Sequence, residues 1–378
     1  MRVRRISALP LVVLALGLLA ACDEDESETL RVGTYNAGLA PGYVPLSEER
    51  APETIAAIAR QDLDVFCVQE IWRTEDARAL QEAGADRWPH RIVPAPQPAA
   101  PTSSEPACEA AALAPIQTCA ASECAGVATG TLASCVLARC DAALTELSSE
   151  CAGCLASQIG ASLPDIVSTC TTEPSGALAF GGSFGLGLLS RYPILEQDLL
   201  VLDATFNRRG VIHARLDTPE AGQVHVFCTH LTAIFDDVPY PGPGSWEAEQ
   251  RAQIEALLAF VAEKTGGEGP AVLLGDLNTG PRVSDIEPEA PDNYALLLRA
   301  FRDPHAEDTD DVQCTFCPDN PLVPEGTRPV LIDHVLVRDL DGPVRRFFTE
   351  PIQIDVGGTR ETTALSDHYG VRAALRRP

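Results

Sequence analysis

Positive charge is scarce in this chain. Across 378 residues, 28 Lys and Arg stand against 54 Asp and Glu, a formal net charge of −26. The first 21 residues hold three of those arginines and no acid, so removing them leaves −29. A surface this anionic repels a phosphate backbone at a distance, which weighs against a nucleic-acid binder. It leaves open a local site where a bound cation reverses the sign. A membrane-spanning run is lacking too: the apolar stretch LPLVVLALGLLA is too short and wrongly flanked for a span. Histidine is missing where cysteine is densest, which bears on how those cysteines are used. The remaining composition, 45% hydrophobic and 22% charged, suits one large cored domain or two ordinary ones.

Arg2, Arg4 and Arg5 followed by that apolar stretch form a targeting segment over residues 1–21. The stretch ends in LAAC, which resembles a bacterial lipoprotein lipobox with Cys22 as the lipidated first residue of the mature chain. An ordinary secretory signal cleaved nearby is the alternative, and both export the protein. CDEDESE then reads as an acidic tether over 22–29, holding the domain off an extracytoplasmic face of a bacterial membrane.

Eight cysteines fall in one stretch: Cys108, Cys119, Cys124, Cys135, Cys140, Cys151, Cys154 and Cys170. Steps of 11 and 5 alternate through the first six, giving a repeat of 16 with Ala- and Leu-rich helical segments between. In an oxidising compartment this predicts short helices stapled by at most four disulfides. A metal cluster is the rival, but only Cys151 and Cys154 have close CxxC spacing and no His accompanies them. Pro-rich VPAPQPAAPTSSEP leads in and TTEPSG leads out, so 95–176 reads as an insertion into a domain running from 30 to 378. Cys67 and Cys228 lie inside strand runs and read as small buried hydrophobes, while Cys314 and Cys317 share a loop and are expected to pair.

Outside the insertion, strands and helices alternate. LRVGTYNA and LDVFCVQE are strands, each followed by a helix. FGLGLLSRYPI, LLVLDATF, GVIHARLD and QVHVFCTH are four strand-like runs in succession. A helix is predicted over Ser245–Lys264, with Ile254, Leu257, Leu258 and Val261 on one face. AVLLGD, a helix near Leu296–Phe301, LIDHVLV and HYGVRAAL complete the chain. This order predicts two packed sheets with helices outside.

Polar residues terminate the apolar runs. Asn36 and Glu70 end the first two strands, His230 ends VHVFCTH, and Asp276 and Asn278 end VLLGDLN. Asp333 sits in LIDHV, and Asp367 and His368 open the last strand. A lone strand-end acid or His is ordinarily a turn former. So many at strand edges point to one shared site. Strand alternation puts Asp276 and Asn278 on one face, aimed at the same object. GGSFG matches the G-x-S-x-G elbow, but the residues after Ser183 read as a strand where the elbow needs a helix.

Taken in order, TYNAG, CVQEIW, GLGLLSRYP, FCTHL, LLGDLNTGP, LIDHVLV and LSDHYGV resemble the endonuclease/exonuclease/phosphatase superfamily, the DNase I-like fold. The resemblance spans about Leu30 to Leu375 apart from the insertion. It implies an α/β (α+β) fold, a four-layered α/β/β/α sandwich with its site at one end of the paired sheets. It also implies metal-assisted phosphoester hydrolysis with Mg²⁺ or another divalent cation such as Mn²⁺, a hard ion that takes oxygen ligands. Glu70 would be the main ligand, with Asn36 and Asp367 nearby. Asp276 would orient or deprotonate the attacking water, and Asn278 would donate to the phosphoryl oxygens. His230 would stabilise the transition state by a charge-assisted hydrogen bond, and His368, fixed by Asp333, would be base or electrostatic partner.

Within that superfamily the chain is most similar to the neutral sphingomyelinase branch, through VQEIW, FNRRGVIHARL and QCTFCPDNPLV. The expected substrate is a phospholipid or other phosphoester, with headgroup release of the phospholipase C type. A DNase I-like endonuclease or an inositol-phosphate-type phosphatase is the alternative. Phe235, Tyr240 and Trp246 after His230 could meet a bilayer or a choline cation, or simply pack their loop. A non-enzymatic reading makes the chain an exported interaction protein whose partner binds the cysteine-rich insertion.

Overall fold

Strands β1 (Leu30–Leu39) and β2 (Val65–Ile71) are parallel neighbours buried along almost their whole length, and β2 opens on the continuous apolar run VFCV that such burial favours. In the computed structural model they lie in the middle of a six-stranded sheet ordered β10-β13-β1-β2-β4-β3. Its other members are β3 (His90–Ile92), β4 (Gly187–Ser190), β10 (Val344–Phe347) and β13 (Gly370–Leu375). A five-stranded sheet, β5-β6-β7-β8-β9, is formed by Ile194–Leu202, Arg209–Thr218, Gly222–His230, Ala271–Asp276 and Asp333–Arg338. It too contains one parallel pair, β7 with β8, among antiparallel neighbours. The structure describes residues 29–98, 104–127, 132, 135–136, 139–158, 161–172, 178–235, 238, 240 and 243–378. The targeting segment, Cys22 and the tether to residue 28 lie outside the described residues.

The inner faces of the two sheets interdigitate. Val32, Val65, Leu188 and Val371 meet Ile212, Val226, Leu274 and Val335 in one buried cluster. Helices α1 (Ser47–Ala59) and α2 (Thr74–Ala83) cover the outside of the first sheet through Ile55, Ile58 and Leu80. Between β3 and β4 come α3 (Ala114–Glu123), α4 (Asp141–Leu144), α5 (Ser149–Ser157) and α6 (Leu163–Thr172) of the cysteine-rich region. Helices α7 (Trp246–Thr265) and α8 (Pro291–Leu297) cover the second sheet through Ile254, Leu257, Val261 and Leu297. The four layers are therefore α/β/β/α, as expected. Helix α7 starts one residue later than the periodicity predicts, because Ser245 is its cap and accepts from the Ala248 N–H (3.1 Å).

All eight clustered cysteines are paired: Cys108–Cys151, Cys119–Cys140, Cys124–Cys135 and Cys154–Cys170. That removes the metal-cluster alternative for them. Cys314–Cys317 forms as expected. Cys67–Cys228 is a correction: the two residues are not free hydrophobes but a disulfide joining β2 to β7 across the sandwich, Cα atoms 5.5 Å apart. Periodicity places each side chain inside, yet it cannot say which residue of the other sheet faces it. Six disulfides fit an oxidising compartment. Also unforeseen are β10 and the hairpin of β11 (Ile352–Val356) and β12 (Thr359–Thr363). Its first strand, IQIDV, does alternate, but only over five residues, and its partner TRETT is polar and largely exposed, so no pair of apolar runs marks the hairpin.

Candidate active site

Both parallel pairs run out at the same end of the sandwich, so the carboxyl ends of four strands converge there. In the second sheet the register aligns His230, Asp276 and Asp333 in one lateral row across β7, β8 and β9. From the first sheet, Asn36 reaches across and donates through Nδ2 to Asp276 Oδ2 (2.8 Å) and Glu70 Oε1 (3.2 Å). His230 Nε2 lies 3.5 Å from Asp276 Oδ2 and 4.0 Å from Glu70 Oε1. His368 Nδ1 is 2.8 Å from Asp333 Oδ2 and 3.8 Å from Asp276 Oδ2. Residues up to 332 positions apart thus share hydrogen-bonding distances.

The local backbone is shaped to allow this. Glu70 is left-handed (φ 57°), a conformation that costs a non-Gly residue about 1–2 kcal/mol and turns its carboxylate off the strand line. Gly38 (φ 55°) follows Asn36, and a Cβ there would fall 2.4 Å from Asp367 Oδ1. Arg50, fully buried in α1, donates to the carbonyls of Ala37, Gly38, Pro45 and Leu365, binding the segment after Asn36 to the one before Asp367. Thr315 Oγ1 accepts from the N–H groups of Ile332 and Asp333, and Asn320 Nδ2 donates to Ser366 O (2.8 Å). The loop QCTFCPDNPLV therefore braces two of the site's acidic segments.

Asn278 departs from the simple strand argument. Strand β8 ends at Asp276, and Asn278 is left-handed (φ 48°), so the two do not alternate on one face. Instead the Asn278 N–H donates to Asp276 Oδ1 (3.0 Å), while its Nδ2 donates to Leu231 O (2.9 Å). Asn36 also differs from a plain ligand: its Oδ1 accepts from the Gly38 N–H (3.0 Å), and it turns Nδ2 towards the carboxylates.

Burial and crowding set the charges. Burial, then the charge of Asp367, pushes the Glu70 carboxyl up. Burial, then the charge of Asp333, pushes Asp276 up to about 7. Burial pushes His368 down, but the charge and hydrogen bond of Asp333 outweigh it and hold the imidazole well above its ordinary value. His230 goes the other way: burial, then the charges of Arg209 and His368, hold it neutral.

This donor set fits a hard divalent cation. Oxygen atoms dominate it, and Glu70 and Asp276 are carboxyls pushed up first by burial and then by neighbouring acids, a surrounding in which a bound cation favours the charged form. Asp276, Asp333 and His368 bring ligand atoms within 4.8 Å of one another, and Asp333 Oδ1 is buried without a hydrogen-bond partner among the described residues. Glu70 and Asp367, beside this trio, line the same cleft.

That cleft has a volume of about 680 Å³. Tyr43, Val44, Phe180, Phe316, Leu322 and Val323 give it apolar lining as well, with the Phe316 ring 5.1 Å from that of His368. Among the lining residues that sequence reasoning missed is Arg209. It is 4% exposed, and its Nη1 is buried without a partner among the described residues. Its signal was a basic residue before Gly at a strand start, the RRG of FNRRGVIHARL. Ser183 leads directly into β4 with no helix after it, and its Oγ accepts from the Gly185 N–H (3.3 Å), so no nucleophile elbow forms. Phe235, Tyr240 and Trp246 pack together, with ring centroids 5.0 and 4.8 Å apart, and Trp246 is buried against Phe206.

A four-layered sandwich with acids, amides and histidines gathered at the carboxyl ends of its central strands defines a class of metal-dependent phosphoester-cleaving folds. The profile of the Endonuclease/Exonuclease/phosphatase family matches residues 33–368, and the chain belongs to that family. A sphingomyelinase of Dictyostelium discoideum is 26% identical over 140 residues, which is 30% of this chain and about a third (31%) of that protein's length. Sphingomyelinase C from Streptomyces griseocarneus shares the fold at 19% identity and TM-score 0.53, over 92% of this chain and 99% of that one. A doubly substituted beta toxin from Staphylococcus aureus, solved with bound magnesium ions, does so at 13% identity and TM-score 0.53, over 92% and 99%.

Proposed function

We propose that this protein is an exported, divalent-metal-dependent phosphodiesterase that releases the phosphorylated headgroup of a phospholipid, as a sphingomyelinase does. The observation that carries the reading is the convergence of Glu70, Asp276, Asp367, His230 and His368 on one cleft that also holds an unpaired guanidinium and an apolar wall. The named activity of the Dictyostelium relative supports the choice of substrate, and the magnesium of the Staphylococcus structure supports the choice of ion. A lipid on Cys22 would hold the cleft beside its substrate at high local concentration. The acidic surface disfavours a duplex.

When bound by Glu70 and Asp367, with the Asp276–Asp333–His368 group close by, a divalent cation would neutralise phosphoryl charge and bind water. The chain's own groups do the rest. Asp276 accepts from Asn36 and Asn278, which fixes its carboxylate. With its affinity for protons raised to about 7, it takes the proton of the attacking water as the new P–O bond forms. Arg209, His230 and the second Nδ2 hydrogen of Asn278 would face the phosphoryl oxygens as the bond to the lipid oxygen breaks, and that oxygen takes up a proton from water as it leaves. Asp333 holds His368 as an imidazolium that offsets the added negative charge.

Incubating the exported chain with sphingomyelin vesicles and Mg²⁺ should release phosphocholine. Absence of phosphocholine together with brisk plasmid cleavage would transfer the assignment to the nuclease alternative. Cleavage of p-nitrophenyl phosphate but of no diester would transfer it to a monoesterase.

A further inference from the structure

One wall of the cleft is held from outside the sandwich. Arg209 opens β6, and the carboxylates of Glu70 and Asp276 attract it, yet it pairs with neither. Its guanidinium carbon lies 5.8 Å from the centroid of the Trp72 ring, within reach of a cation–π contact. Trp72 is 3% exposed and lies so close to Gly185 that a Cβ there would fall 2.8–2.9 Å from the indole. Phe180 stacks on the same indole, centroids 4.9 Å apart and planes 15° from parallel.

Phe180 belongs to Leu178–Gly182, the segment by which the chain returns from the cysteine-rich insertion. It is left-handed (φ 53°, ψ 33°), so its ring is held on Trp72 at a backbone cost of about 1–2 kcal/mol. The segment is sewn to the insertion's entry and to the start of β6. The Gln97 N–H donates to Gly182 O, Arg208 Nε donates to Gln97 O, and the Ala179 N–H donates to Phe206 O, each at 2.8 Å. Tyr43, another lining residue of the cleft, donates its hydroxyl to Ala156 O of α5 (3.2 Å).

We propose that the cysteine-rich insertion is a buttress of the active site: through Phe180 and Trp72 it keeps Arg209 aimed at the phosphoryl oxygens of the substrate. Phe180 and Trp72 are positioning residues, and the proposal rests on the phosphoester reading of the cleft. Without the stack, Arg209 would collapse onto Glu70 and Asp276 and quench the acidic pole that holds the cation.

The test is a double-mutant cycle on kcat/KM with bis(p-nitrophenyl) phosphate, using the full exported chain. Phe180→Gly removes the ring while relieving the left-handed backbone, so loss of folding does not confound it. Alone it should lower kcat/KM about tenfold, and Phe180→Tyr should restore it. Arg209→Met should lower kcat/KM about a hundredfold, and adding Phe180→Gly to it should change nothing further. An equal loss from Phe180→Gly in both backgrounds overturns the buttress. Should the wild type turn over no phosphoester, the same cycle is read by calorimetric binding of inorganic phosphate. Weakening by Phe180→Gly only when Arg209 is present upholds the buttress while the reaction reading falls. Additive weakening, or no phosphate binding at all, overturns it.

Discussion

Replacing both Cys67 and Cys228 with Ala removes the only disulfide that joins the two sheets among the described residues. The bridge closes a loop of 161 residues, but Cys108–Cys151 and Cys154–Cys170 already shorten the path inside it. Roughly 100 residues of free chain remain, for which chain entropy gives about 4.7 kcal/mol of stabilisation. Loss of two sulfurs from a sealed core adds about 1 kcal/mol. The roughly 325 described residues unfold with about 0.7 kcal/mol per kelvin of entropy, so the midpoint should fall by about 8 °C. Calorimetry of the oxidised double variant beside wild type measures this, with the scan rate varied to check reversibility. A shift under about 2 °C would refute the reasoning, as would native protein with Cys67 open to alkylation.

Asp276→Asn should lower turnover at least about a hundredfold while the melting midpoint moves little, since the amide keeps the bond from the Asn278 N–H; near-wild-type rates would count against the site. Chelation should abolish hydrolysis and added Mg²⁺ restore it, and Glu70→Gln should raise the Mg²⁺ concentration needed for half-maximal rate. His213, stacked on His225 and Phe227, is pushed down to about 4 by burial and then by His225, with Lys264, Glu196 and Asp198 nearby. Its folded value lies below its unfolded one, so the stability it contributes is whole above about pH 6.5 and is lost as pH falls towards 4, by at most about 3 kcal/mol. Urea titrations of wild type and His213→Leu across that window should converge at neutral pH and separate in acid.

The sandwich was legible because its strands and covering helices announce themselves by period, and strand-end polar residues stand out against apolar runs. Asp276 and His230 needed only that pattern. Arg50 did not show, because a buried arginine on a helix face satisfied wholly by backbone carbonyls has the same sequence signature as a solvated one. Arg209 was hidden for a related reason: RRG marks a basic strand start, but does not tell whether Arg208 or Arg209 turns into the cleft. The Asn278 geometry depends on where β8 ends, and Leu231 O, which fixes the side chain, is 47 positions away. The Cys67–Cys228 pairing is non-local in the same sense.

The two kinds of disulfide differ in when they can close. The insertion's bridges span 11, 16, 21 and 43 residues, whereas the core bridge spans 161. Closing the longest loop costs about 2 kcal/mol more than closing the shortest. If the chain is exported amino end first, as proposed, Cys67 emerges before the eight thiols of the insertion, and Cys228 only later. Quick local pairing withdraws those eight from exchange before the correct partner arrives. On that reading the insertion would guard the oxidative assembly of the sandwich, and shortening it by whole bridged units should be better tolerated than leaving any of its cysteines single.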